Sequence, residues 1–190
     1  MRPKARSTSS NPHGAVDLFV RDARRGDSRT IEEVHFAARA AAYSDKVADW
    51  PPPGPDRPGR IARWERWLSD PDISTLVGES SGELVGFCTI RSSPEDDTDA
   101  ATAEMATLYV RPDRWHRGVG RTLCEAGLER ARRRGFQTLV LWVLDINERA
   151  RTFYEHLGFV ADGRTKVDEM TRERLVAHRY AIGLEEPAAR

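Results

Sequence analysis

Three observations predict a mixed α/β domain. Short apolar runs separated by turn residues fill the first half of the chain, as antiparallel hairpins do. After Val110 the pattern changes to strand, helix, strand. Thr138–Leu144 is then nearly all apolar, as a strand covered on both faces must be, so this unit reads as a parallel crossover. The predicted order is β, α, α, β, β, β, α, β, α, β, β, and 190 residues with 39% hydrophobic content suit one domain with one core. Residues 15–184 are expected to form that domain, between a disordered arm at 1–14 and a tail at 185–190.

The arm, residues 1–14, is rich in Ser, Pro and basic residues and has almost no apolar content. Val16, Leu18 and Val20 alternate with polar neighbours, a half-buried strand that Arg24-Arg25-Gly26-Asp27 turns. Thr30 with Glu33 reads as a capping box, and Ile31, Val34, Ala38 and Ala41 follow at helical spacing up to about Tyr43. Residues 50–59, Trp-Pro-Pro-Pro-Gly-Pro-Asp-Arg-Pro-Gly, read as a stiff extended loop, because proline lacks the donor that a helix or a central strand needs. Ile61, Trp64, Trp67 and Leu68 give a short amphipathic helix that Pro71 ends. Residues 75–77 and 84–90 form a hairpin across Glu79-Ser80-Ser81-Gly82-Glu83. Pro94, Glu95, Asp96, Asp97 and Asp99 mark a solvated loop before the strand Thr102–Val110; its acidity could attract a cationic substrate or serve solubility alone.

Gly120, Leu123, Cys124, Gly127, Leu128 and Ala131 lie on one helix face, and the small Gly127 and Ala131 let that helix sit close to a sheet. A second helix over 148–157 is capped by Asn147 and ended by Gly158, and residues 175–182 make the last strand.

Composition excludes several functions. Thirty Lys+Arg balance thirty Asp+Glu, so no global field recruits nucleic acid or an anionic membrane. The longest apolar run, 139–144, is far too short to cross a bilayer, and the N-terminus lacks the apolar core of a secretory signal, so a cytoplasmic protein is expected. Cys88 and Cys124 sit in apolar patterns and read as small buried thiols, not nucleophiles. His13, His35, His116, His156 and His178 are scattered without metal-ligand spacing, so no metal is predicted.

Chemistry concentrates between the strand ending Leu108, Tyr109, Val110 and the helix that opens after Trp115-His116-Arg117-Gly118-Val119-Gly120-Arg121-Thr122. Free N–H groups at a helix N-terminus, glycines that admit close approach, and Arg114, Arg117 and Arg121 together make a site for a phosphate. A P-loop is excluded by the lack of Gly-Lys-Ser/Thr, and a dinucleotide fingerprint by the lack of a complete Gly-x-Gly-x-x-Gly at a first strand. On these residues alone, the site could hold any phosphorylated ligand.

Residues 115–120 resemble the signature Gln/Arg-x-x-Gly-x-Gly/Ala of the GNAT superfamily, the Gcn5-related N-acetyltransferases, with Trp115 departing at the first position. The run Asn147-Glu148-Arg149-Ala150-Arg151-Thr152-Phe153-Tyr154-Glu155-His156-Leu157-Gly158-Phe159 is similar to the same family's Asn-x-x-Ala-x-x-Phe-Tyr-x-x-x-Gly-Phe. The resemblance implies a mostly antiparallel sheet with a central splayed parallel strand pair flanked by helices. It implies acetyl-CoA as co-substrate, with its pyrophosphate on the turn, and direct attack by an amine in a ternary complex, where proximity supplies much of the acceleration. The acceptor would be a small-molecule amine or a peptide amine, and the assembly a homodimer.

Each role has a candidate residue. Glu104 resembles the strand glutamate that acts as base in several relatives; alternation puts it on one face with Ala106, Leu108 and Val110, where a carboxylate is costly unless paired or functional. Tyr154 matches the tyrosine that faces the coenzyme sulfur. A free tyrosine titrates near about 10 and a thiol near about 8.5, so full proton transfer is uphill by roughly 2 kcal/mol and a hydrogen bond to the thiolate is the safer role. Phe153 reads as core at helical spacing. Asn147 could contact the coenzyme arm as in relatives or simply cap its helix. Backbone N–H groups near Leu108 and Val110 would polarise the carbonyl.

Two rivals stay open. The cluster Arg130, Arg132, Arg133 and Arg134 could bind nucleic acid, although cations at a helix C-terminus stabilise the helix without any partner. An acyl-CoA sensor would keep the pocket and drop catalysis. The acceptor itself is not written in any motif; the loop at 51–58 and residues 162–174 would border its site, and Trp50, Trp64 and Trp67 could line it or pack in the core.

Overall fold

A computed structural model describes residues 18–47, 56–168 and 174–184. The predicted arm, Val16, most of the proline loop, part of 162–174 and the tail lie outside them. The elements are β1 (Leu18–Asp22), α1 (Ser28–Tyr43), α2 (Arg57–Trp67), β2 (Ser74–Ser80), β3 (Glu83–Ser92), β4 (Thr102–Val110), α3 (Val119–Arg133), β5 (Thr138–Leu144), α4 (Glu148–His156), β6 (Val160–Asp168) and β7 (Leu175–Gly183).

Two helix starts differ from expectation. Helix α1 begins at Ser28, so Thr30 lies inside its first turn and no capping box forms there. The acidic residue ahead of it, Asp27, is engaged elsewhere: its carboxylate accepts from the Arg24 N–H at 2.7 Å and from Arg21 at 2.8 and 3.1 Å. Helix α2 begins at Arg57, inside the segment expected to be extended. Pro58 is tolerated because first-turn amides have no intrahelical partner to lose, and the Asp56 carboxylate caps the Gly59 N–H at 3.0 Å.

The strands form one sheet in the order β1-β2-β3-β4-β5-β7-β6, antiparallel except for β4 and β5. Ser81 and Gly82, with φ of 53° and 78°, close the β2–β3 hairpin in the left-handed turn that matches strand twist. Strand β6 is exposed along nearly its whole length, the edge of the sheet. Helices α1 and α2 cover one face, where Ile31, Val34 and Trp64 pack on Val77 and Phe87. Helix α3 covers the other, approaching so closely at Gly127 that a Cβ there would stand 3.0 Å from Met105 and 3.2 Å from Ile90. Helix α4 joins α3 on that side through Tyr154, with Leu139, Leu141 and Val143 beneath.

Two irregularities shape the centre of the sheet. Strands β4 and β5 pair only at Thr102 with Thr138, Ala103 with Leu139 and Glu104 with Val140, and then separate. Beyond Glu104, alternate backbone groups of β4 face a gap rather than a strand. In addition, β3 pairs Ile90 with Met105 but Thr89 with Thr107, leaving Ala106 as a bulge. The bulge inverts the alternation. Met105, Leu108 and Val110 face α3, whereas Glu104, Thr107 and Tyr109 face α1 and α2. Glu104 therefore does not share a face with Leu108 and Val110, as simple alternation required; one inserted residue moves it to the other side.

Candidate cofactor cleft

Where β4 leaves β5, a cleft of about 710 Å³ opens on the α3–α4 side. Its wall comprises Leu108 and Val110 of β4, the turn Arg114, Trp115, His116 and Gly118, Gly120 and Arg121 of α3, and Glu148, Arg149, Ala150, Thr152, Phe153, Tyr154 and His156 of α4. Gly118 takes φ 82° as the residue before α3, a conformation that a side chain would strain, and His116 takes φ 60°. This kinked backbone aims the start of α3 at the cleft. The amides of Val119, Gly120 and Arg121 have no carbonyl one turn back to bond, while that of Thr122 bonds Gly118 O at 3.0 Å. Gly120 keeps the wall thin: a Cβ there would meet the Phe153 ring at 3.4 Å.

Side chains brace the turn. The Trp115 indole donates to the Val110 carbonyl at 2.8 Å, tying the turn to β4. The Arg149 guanidinium lies 3.4 Å over the same ring and makes no ion pair among the described residues. Burial pushes the Arg149 pKa down, the mark of a cation partly removed from water. The donor set, free amides beside Arg149, Arg121 and His116, fits the phosphates of a coenzyme.

Tyr154 is 8% exposed, and its hydroxyl makes no hydrogen bond among the described residues. Burial, with the neighbouring phenols of Tyr109 and Tyr43 and the thiols of Cys124 and Cys88, pushes its pKa well above 10. Cys88 and Cys124 are buried and their pKa values rise, Cys124 to about 12, so both stay thiols at neutral pH.

Of the residues singled out by sequence, Leu108, Val110, Trp115, His116, Gly118, Gly120, Arg121 and Tyr154 line the cleft. Tyr109, Arg117, Val119, Thr122, Asn147 and Glu104 do not. Tyr109 packs against Phe87 and His35 on the opposite face, and Val119 is buried under the turn. Asn147 caps α4 by accepting from Ala150 N at 3.2 Å and donates to Tyr43 Oη at 2.8 Å. Glu104 is 6% exposed and receives Arg91 Nε at 2.7 Å and Nη2 at 2.6 Å. Sequence reasoning missed Arg149, Thr152 and His156, which share one helix face with Phe153 at i, i+3, i+4 and i+7. Phe153, expected in the core, both packs there and lines the wall.

Both charge clusters are engaged within the fold. Arg130 pairs with Asp22 at 2.7 Å, Arg133 with Glu129 at 2.7 Å, and Arg132 and Arg134 donate to the carbonyls of Leu184 and Asp72. The acidic loop before β4 pairs Glu95 with Lys166 at 2.9 Å and Asp97 with Arg179 at 2.8 Å and Arg164 at 3.0 Å. Among the described residues no helix is long and apolar enough to cross a membrane, and no group of three or more His, Cys, Asp or Glu is placed to hold a metal.

Residues 39–159 match the model of the Acetyltransferase (GNAT) family. The chain belongs to the GNAT acetyltransferase family. It is 34% identical over 125 residues to mycothiol acetyltransferase of Acidimicrobium ferrooxidans, a match covering 65% of this chain and 38% of that one. The chain spans well under half the length of the mycothiol acetyltransferases it matches. Among solved structures it is similar to the Salmonella typhimurium protein yncA with its cofactor acetyl-CoA, at TM-score 0.69 and 24% identity over 90% of this chain and 96% of that one. It is also similar to the paia N-acetyltransferase of Thermoplasma acidophilum in complex with coenzyme A, at TM-score 0.61 and 21% identity over 86% and 98% of the two chains. These likenesses show the GNAT fold, with the parallel β4–β5 pair at its centre.

Proposed function

We propose that residues 15–184 form one catalytic domain of a cytoplasmic enzyme that moves an acetyl group from acetyl-CoA to a small-molecule or peptide amine. The observation that carries this reading is the early end of the β4–β5 ladder, which opens the sheet between the α3–α4 cleft and the α1–α2 face. A donor bound on one side and an amine bound on the other would meet at that gap.

The amides at the start of α3 hold pyrophosphate oxygens, and Trp115, bonded to Val110 O, keeps the turn in place beneath Arg149. Acetyl-CoA supplies an activated thioester carbonyl. Unpaired N–H groups of β4 near Leu108 and Val110 stabilise charge on that carbonyl oxygen; fixed before reaction, they need little reorganisation. The Tyr154 hydroxyl, protonated throughout the neutral range, hydrogen-bonds the leaving thiolate. Glu104, at the last pair before the gap and on the α1–α2 face, takes the proton of the attacking amine, with Arg91 fixing its carboxylate. Base and acid thus stand on opposite sides of the sheet. Full transfer of a phenolic proton is not required, since a strong hydrogen bond suffices.

The test is an amine panel with acetyl-CoA, followed by free-thiol release and product mass. Acetylated amine with equal thiol is expected, and Glu104→Gln should lower kcat by at least about tenfold, the usual contribution of a positioned base being larger still. Coenzyme binding without an acetylated product across the panel would make the protein a sensor instead. Unchanged rates in Glu104→Gln would remove the residue from the chemistry.

A further inference from the structure

Two buried polar atoms flank the gap on the α1–α2 face and have no hydrogen-bond partner among the described residues: Thr107 Oγ1 and Trp142 Nε1. Their positions follow from the ladder. Val140 is the last β5 residue paired with β4 at Glu104, and Trp142 is the next β5 side chain on that face. On β4 the bulge at Ala106 makes Thr107 the next side chain after Glu104 on the same face. These are the first two side chains beyond the end of the β4–β5 ladder on that face.

The neighbours of both orphans are engaged with other groups. Thr75, Thr89 and Thr107 form a cross-strand row, and the hydroxyls of Thr75 and Thr89 bond each other at 3.1 Å, leaving Thr107 without a mate. Trp142 is held firmly: Lys166 Nζ lies 4.1 Å over its ring and the Arg179 guanidinium 5.8 Å away. Glu95 fixes Lys166, while Asp97 and Asp162 fix Arg179, which is 7% exposed. The acidic loop thus serves to clamp the indole. An unpaired buried donor costs free energy in the empty protein, so a group kept in that state by such a network points to a ligand.

Resting on the acetyl-transfer reading, we infer that Thr107 and Trp142 form the acceptor subsite and select an α-amino amide, the group at the end of a peptide or in an amino-acid amide. Indole N–H only donates, so it requires an oxygen acceptor, and a carbonyl brings no donor of its own to leave unpaired. The Thr107 hydroxyl accepts from the amine N–H and orients the nitrogen toward the gap. Because the carboxylates already neutralise Lys166 and Arg179, a neutral carbonyl suits the site.

The experiment compares glycinamide with isobutylamine, which has the same shape and no carbonyl, on wild type, Trp142→Phe, Thr107→Val and Thr107→Ser. Trp142→Phe should lower the glycinamide to isobutylamine ratio of kcat/KM about fivefold, the loss of one neutral hydrogen bond. Thr107→Val should raise KM for both amines by a similar factor, and Thr107→Ser should restore it. Dissociation constants for coenzyme A should stay at the wild-type value. Melting temperatures of the ligand-free variants Trp142→Phe and Thr107→Val should hold or rise, since each removes an orphaned polar group; a purely structural role would lower them. An unchanged ratio in Trp142→Phe with transfer intact overturns the inference alone. Wild type that acetylates other amines but not glycinamide overturns it as well. Wild type that releases no thiol with any amine overturns the transferase reading and this inference with it.

Discussion

On the α3–α4 side of the sheet, backbone supplies much of the open polar surface: three free amides, a left-handed glycine and the open edge of β4. On the α1–α2 side the fold instead buries charged side chains. Glu32, 1% exposed, is held by the Arg60 guanidinium, by Trp64 Nε1 at 3.0 Å and by His35 Nδ1 at 3.7 Å, and Glu104 is held by Arg91. A backbone site depends on chain path and tolerates exchange of side chains, which is how Trp115 can stand at the first position of the phosphate turn. A site of buried charge depends on every partner, because removing one leaves the rest desolvated and unpaired.

The sharpest way to break this contrast is Glu32→Ala. It strips Arg60 and Trp64 of their acceptor on the α1–α2 side and should cost about 4 kcal/mol of stability, read as a lower urea midpoint. Coenzyme A affinity, measured on the protein that remains folded, should not change. Acid should do the same gradually. Burial alone would raise the Glu32 pKa, but the contact with His35 and the hydrogen bonds from Arg60 and Trp64 outweigh it and lower it from 4.5 to about 2. A depressed folded-state pKa gives stability that is present above the unfolded value and lost as pH falls from 4.5 toward 2. That contribution is about 3 kcal/mol, and Glu32→Gln should flatten the profile in this window. An equal acid loss in both proteins would mean that Glu32 is not the group responsible.

Second in size is Gly120→Leu, aimed at the other side. Its Cβ meets Phe153 at 3.4 Å and its remaining atoms project into the wall of the cleft. Coenzyme A should bind about 100-fold more weakly, near 2.7 kcal/mol, with little change in melting temperature. A variant that binds normally would show that the ligand does not pass this point.

The same contrast explains what could be read from sequence. The α3–α4 side was legible because its chemistry needs glycines and caps at fixed spacing: Gly118, Gly120, Asn147 and Gly158 punctuate it in linear order. Element order was legible too, since alternation and helical spacing are local. Glu104 was placed on the wrong face because one inserted residue, Ala106, inverts a period of two, and a bulge leaves no mark in hydropathy. Trp142 and Thr107 were hidden for a different reason. Their surroundings are built by Lys166, Arg179 and Thr89, which are distant in sequence and meet them only across strands. The α2 start was missed because proline in a first turn has the same composition as proline in a loop.

Tyr154→Phe should cost less than the two changes above, about tenfold in kcat, as expected for one hydrogen bond to a charged group. Coenzyme A affinity should hold, since the ring and its edge contacts with Phe153 and Phe159 remain. Burial keeps the phenol protonated far above neutrality, so the pH–rate profile of wild type and variant should have the same shape up to about pH 10. Loss of an alkaline limb near pH 8 or 9 in the variant would instead make Tyr154 a titrating acid.

Asn147 is where the two sides touch, and its removal should have the smallest effect. Its carbonyl oxygen caps α4, on the cleft side, while its amide donates to Tyr43 of α1, on the other. Asn147→Ala removes both and should cost about 1 kcal/mol, the usual value of a cap, with faster hydrogen exchange at Ala150. Asn147→Asp keeps the cap acceptor and loses only the donor to Tyr43, so most of the stability should return. If Asn147 instead reached the coenzyme, both variants would weaken coenzyme A binding while stability stayed near wild type. The geometry supports the first outcome, because each polar atom of this side chain already has a partner within the fold.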